Sequence, residues 1–114
     1  METHTIERDG DTDLRFKGEL LASASSSPDT ARSDYSGSTG RWTVLELYRT
    51  AAGNYVVHEV GRTSWDGEQD RHTATVCEAE AEVVDAVRTH DGRLGRLGKQ
   101  VLEEAGIDAV EEIA

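Results

Sequence analysis

RWTVLELYRT, AAGN and YVVHEVGRTSW run consecutively from Arg41 to Trp65, and their reading decides the fold. Both flanks are rich in β-branched and aromatic residues, which suit a pleated, half-buried surface. Between them, Ala51–Asn54 offers Gly53 and Asn54, residues that tolerate positive φ in a tight turn. The stretch therefore reads as a β-hairpin. A second turn, WDGEQD (Trp65–Asp70), leads into RHTATVC (Arg71–Cys77), the next strand of a meander.

Upstream, LRFKGELLASAS (Leu14–Ser25) places Leu14, Phe16, Gly18 and Leu20 on one side, a strand period. The tract from Ser26 to Gly40 is a loop by composition, with Ser, Gly, Asp and the single proline. Residues 1–13 are polar and acidic and read as a flexible arm. From Glu78 the period changes to that of a helix. Glu78–Gly92 sets Ala79, Val83, Val84 and Val87 on one stripe, stopped by Asp91-Gly92. A second helix over Arg93–Gly106 buries Leu94, Leu97, Val101 and Leu102 and ends on a glycine in the C′ position. The expectation is a single α+β domain over 14–114: an antiparallel meander of about four strands, then two C-terminal helices packed on one face, with a Ser/Gly-rich loop at 26–40.

Apolar material is thin, since Leu, Ile, Val and Phe amount to 22 of 114 residues. Two tryptophans and the strong periodicities nevertheless favour a small ordered core. The formal charge is −11, from 23 acids against 12 bases. Such a balance disfavours binding to nucleic acid or anionic membranes, both of which need cationic patches, and favours a basic partner or a salt-adapted surface. Only Lys17 and Lys99 are lysines among those bases, a bias that a GC-rich or salt-adapted genome also produces. One cysteine, Cys77, rules out an internal disulfide and fits a reducing compartment. The first residues contain no apolar signal-peptide core, and no apolar run is long enough to span a bilayer. The chain reads as cytoplasmic.

KQVLEEAGI (Lys99–Ile107) resembles the second half of the Nudix box, in which glutamates on a helix face hold magnesium. Val101, Glu103, Glu104, Gly106 and Ile107 match that pattern, but Lys99-Gln100 stands where it needs arginine-glutamate, and Asp91 and Asp85 fall on its upstream glutamate and glycine. A degenerate Nudix-like hydrolase is thus a distant alternative, and LEEAG is simply a good way to end a helix. His58, His72 and Cys77 come from neighbouring strands, yet the close ligand pairs that announce zinc are missing. The expectation is no metal, no cofactor and no catalytic set, with both histidines on the strand surface and Cys77 a small apolar residue at the strand-to-helix junction. Arg93, Arg96 and Lys99, with Arg88 nearby, form a basic stripe that reads as solvated and paired with local acids.

The acids are the concentrated feature. Glu78, Glu82 and Asp85 fall at i, i+4 and i+7 with Glu80 beside them; the C-terminal segment adds Glu103, Glu104, Asp108, Glu111 and Glu112; the turn after Trp65 adds Asp66, Glu68 and Asp70. Carboxylates on a rigid scaffold imitate a phosphate track and suit an arginine-lined groove.

The segment GRWTVLELYRTAAGNYVVHEVGRTSWDGEQDRH, with the LEEAGID ending, resembles small uncharacterised acidic proteins of plasmids, phages and other mobile elements, over residues 40 to 110. Some proteins of that kind are anti-CRISPR or antirestriction inhibitors, and the resemblance supplies no catalytic residues. It implies a non-enzymatic inhibitor that occludes a nucleic-acid-handling complex, such as a CRISPR effector or restriction enzyme, by nucleic-acid mimicry in the host cytoplasm. The alternative is an accessory or structural interaction module of a mobile element, pairing through its sheet face. Trp42, Tyr48, Tyr55 and Trp65 have a structural reading as hairpin cement and a functional one as binding anchors.

Overall fold

The computed structural model describes residues 2–26, 41–63, 67–89 and 91–108. Five strands form one antiparallel sheet in chain order: β1 (Glu2–Ile6), β2 (Leu14–Ser25), β3 (Arg41–Thr50), β4 (Tyr55–Thr63) and β5 (Arg71–Cys77). Two helices follow, α1 (Glu80–Ala86) and α2 (Arg96–Ala105), and pack against the sheet, which curls into a half-barrel. The α+β meander expected from the sequence is present, with one strand more.

That strand is β1, which lies inside the segment expected to be a flexible arm. Its five residues pair with β2 from Glu2↔Gly18 to Ile6↔Leu14, and Ile6 is only 5% exposed. The acids of residues 7–13 hid a short β-branched alternation, THTI, at the very start. Most of the Ser/Gly-rich tract lies outside the described residues; Ser26, at its start, donates its N–H to the Thr43 carbonyl and accepts the Thr43 N–H on its hydroxyl.

The central hairpin closes as its turn residues require. Thr50 donates its N–H to the Asn54 carbonyl (2.8 Å), Gly53 donates to the Thr50 carbonyl (2.9 Å), and Gly53 takes φ 90°. This is a type I turn with a glycine bulge, and it fixes the register Arg49↔Tyr55 through Arg41↔Thr63.

A bulge between Leu20 and Ala22 lets β2 serve both faces of the sheet. Before it, Leu14 and Phe16 join Ile6, Tyr48, Val56 and Ala74 on the face away from the helices. After it, the inward set switches sides, and Ala22 and Ala24 turn to the helices. These two small residues let α2 lie over β2 and β3, while α1 lies over β4 and β5. The helix-side core joins Leu45, Leu47, Val57 and Cys77 to Val83, Val101, Leu102 and Ile107.

Both helices are shorter than their periodic stretches. α1 starts after Ala79, an exposed N-cap outside the apolar stripe, and ends at Val87; beyond it Gly92, at φ 82°, donates its N–H to the Thr89 carbonyl. α2 begins only after Gly95, and its end is as anticipated. Gly106 takes φ 74°, donating to the Glu103 carbonyl, while Ile107 donates to that of Leu102. Those two bonds make a Schellman motif and seat the buried Ile107 against the last turn. Among the described residues no helix is long and apolar enough to cross a membrane.

Candidate functional site

A line of polar side chains crosses the face away from the helices between β3 and β5. Register places Glu46 opposite His58, and alternation puts His72 on the same side. His58 Nδ1 lies 2.9 Å from Glu46 Oε1, and His58 Nε2 lies 3.2 Å from His72 Nδ1. The two rings are inclined by only 13° with centroids 5.4 Å apart, so they meet edge to edge, nitrogen to nitrogen. His72 Nε2 in turn reaches Glu7 Oε2 at 3.0 Å.

The expectation of two surface histidines holds for neither position fully. His58 is buried and His72 half-buried. Cys77 does not join them: paired with Tyr55, it points into the helix-side core. Its thiol is pushed up by burial and then by the Glu82 charge, which suits the junction residue anticipated. Glu46 is held below its usual range chiefly by the hydrogen bond from His58, against the opposing cost of burial, with the His58 charge, Tyr48 and Arg62 adding to the effect. Tyr48, beside it, is pushed up to about 12 by burial and by the Glu46 charge.

The same end of the sheet gathers acids from two distant parts of the chain. Asp9 donates its N–H to the His72 carbonyl and accepts the His72 N–H on Oδ2, both at 2.9 Å. This tie carries Glu7, Asp9 and Asp13 of the β1–β2 connection up to Glu68 and Asp70, and all five carboxylates line one open depression with Arg8 and His72. Asp70 is partly spent on structure, accepting the Thr63 N–H at 3.0 Å with Arg62 at 3.8 Å, and Glu68 accepts the Thr63 hydroxyl at 2.6 Å. Asp66 lies outside the described residues.

The helix-borne acids are arranged differently from their spacing. Glu78 precedes α1, so Glu78, Glu82 and Asp85 do not form one helical stripe. Glu82 turns back to accept the Glu78 N–H at 2.8 Å, and Asp85 pairs with Arg88 at 3.2 Å. Glu80, Glu103, Glu104 and Asp108 are exposed. Glu111 and Glu112 lie outside the described residues. Of the basic stripe, Arg93 meets Asp91, which lies outside α1, at 3.3 Å.

Comparison with protein families, with curated proteins and with solved structures finds no match to this chain. The functional reading therefore rests on the residues themselves.

Among the described residues, no three His, Cys, Asp or Glu side chains are grouped so that they could hold a metal ion. Glu103 and Glu104, the Nudix-like pair, stand exposed on the last turn of α2. Trp42 is half-buried and lines a polar cleft of about 890 Å³ with Arg62, Arg71 and Asp70; Tyr48 and Tyr55 are buried on opposite faces. Tyr48 does more than cement the hairpin. It contacts His4 and Phe16 at ring distances of 4.8 and 5.4 Å and so holds β1 and β2 to β3.

The sequence reading missed Glu7, Asp9 and Asp13 as members of a surface, because it took residues 1–13 for an arm. The β-branched Thr3, Thr5 and Ile6 hint at a strand there, but the run is too short to show a period.

Proposed function

We propose that this protein is a non-enzymatic acidic inhibitor that binds a basic, nucleic-acid-handling complex of the CRISPR-effector or restriction-enzyme kind and occludes its nucleic-acid groove. One observation carries the reading: Glu7, Asp9, Asp13, Glu68 and Asp70 converge from two loops on a single depression, and Arg8 is the only arginine lining it among the described residues. Hydrogen bonds to β5 and to Thr63 hold Asp9, Glu68 and Asp70 in place, so these charges are presented on a fixed frame. A rigid acidic frame attracts an arginine-lined groove at long range and suffers little ordering cost on docking. The exposed Glu78, Glu80, Glu103, Glu104 and Asp108 extend the negative surface on the helical side.

The test compares two sets of neutral variants against the captured partner. Asp9 is kept, since it ties β5. Glu7→Gln with Asp13→Asn and Glu68→Gln should weaken binding and flatten its salt dependence more than Glu78→Gln with Glu82→Gln and Asp85→Asn. Equal binding by all three proteins would refute the assignment of the contact surface.

A second reading has its own support. Leu20, Tyr48, Val56 and Val76 occupy one rung across β2 to β5, and its two outer members are 48% and 52% exposed. Such a rung suits a mobile-element interaction module that pairs through its sheet. Apolar pairing of that kind would survive moderate salt, whereas groove mimicry would not.

A further inference from the structure

We propose that Glu46, His58, His72 and Glu7 form a proton-dependent latch that holds the β1–β2 connection on β5 only while the two imidazoles together carry one positive charge. Three contacts link the four groups, at 2.9, 3.2 and 3.0 Å, and each needs one proton. Ionised carboxylates only accept, so His58 Nδ1 and His72 Nε2 must both carry hydrogen. The central nitrogen-to-nitrogen contact then needs a third proton. Two neutral rings hold two protons between them, and two cationic rings hold four. With two, a pair of lone pairs would face each other across the central contact. With four, two N–H groups would. Only the singly charged pair satisfies all three contacts.

The surroundings hold the Glu46 end of the line below the usual carboxylate range. Glu46, on β3, is faced by His58, the Tyr48 hydroxyl and Arg62. Glu7 is 65% exposed at the other end of the line. Around His72 stand Asp9, bonded to its backbone N–H, and Arg8, Asp13, Glu68 and Asp70 along the same depression. His58 is buried between β3 and β5, so its ring cannot turn to water to repair a broken contact. Failure of the line is therefore felt at its exposed end, where Glu7 leaves His72 and the adjacent Asp9–His72 exchange loosens.

The latch is distinct from any docking role of the acids and is tested on the free, full-length chain. Amide hydrogen exchange at Asp9, corrected for the intrinsic pH dependence of exchange and referenced to Leu47 in the core, is followed across the range in which imidazoles titrate, about pH 5 to 8. Protection at Asp9 should pass through a maximum, falling roughly two- to fivefold on either side, the scale of a partly exposed ion pair. Glu7→Gln provides the sharper arm. An amide donates as well as accepts, so Gln at position 7 can supply the missing hydrogen to His72 Nε2, and the line closes with two neutral rings. The alkaline loss of protection should then disappear while the acidic loss remains. A flat profile in the parent protein, or an unchanged alkaline loss in Glu7→Gln, would overturn the latch.

Discussion

Gly98 lies so close to Val87 that a Cβ built on it would stand 2.8 Å from the Val87 carbonyl oxygen. This contact brings α2 against the end of α1 and has no room for a side chain. Gly98→Ala should lower stability by about 1–3 kcal/mol despite alanine's better helix propensity, because the backbone oxygen cannot move aside cheaply. Urea unfolding followed by circular dichroism measures the shift. A neutral or stabilising alanine would mean that the helices have slack at this crossing.

β1 is held by its pairing with β2 and by Ile6, buried in the second apolar cluster beside Tyr48 and Val56. Ile6→Ala should destabilise by about 2–4 kcal/mol, the range for deleting a core aliphatic side chain. The same substitution in a loose arm would cost almost nothing, so one unfolding curve decides between the two.

Cys77 is 1% exposed, and its thiol is pushed up by burial and the Glu82 charge. A buried, protonated thiol is a poor nucleophile. In native buffer at neutral pH, Ellman's reagent should react with it only as fast as the protein opens. Immediate reaction of one thiol per chain would contradict the packing at the β5–α1 junction.

The pH dependence of stability follows from two neighbours on β3. Glu46 is held below 4.5, so its contribution is complete above that value and is lost as pH falls through its folded value. Tyr48 runs the other way: pushed from 10.0 to about 12, it stabilises below about 10 and loses that contribution as pH rises toward 12. Urea midpoints across pH should therefore fall at both extremes. Tyr48→Phe should flatten the alkaline limb, and an alkaline limb unaltered by that change would place the titrating group elsewhere.

The sheet was legible because its signals are local. The turn residues Gly53 and Asn54, the β-branched flanks and the period change at Glu78 each carry their meaning within a few positions. β1 was not, since five residues are too few to show a period and the acids after them dominate the composition. The bulge after Leu20 was equally silent, because LLASAS continues a plausible alternation while its inward side changes. The spacing of Glu78, Glu82 and Asp85 misled for a related reason: it assumes a helix already under way at Glu78, and the helix starts later. The Glu46–His58–His72–Glu7 line depends on pairing between β3, β4 and β5 and on the return of the β1–β2 connection. No window of sequence contains all four.

Capture of a nucleic-acid-handling complex by the acidic surface, as proposed, can be measured on the chain itself. The direct measurement passes host-cell lysate over the immobilised chain, elutes with a salt gradient, and repeats the capture with competing DNA or RNA and with the Glu7, Asp13 and Glu68 neutral variant. One nucleic-acid-binding complex should be retained at low salt, released at moderate salt, displaced by its own nucleic acid and lost to the variant. Retention of nothing specific at low salt, or of a partner indifferent to salt, nucleic acid and charge neutralisation, would contradict it.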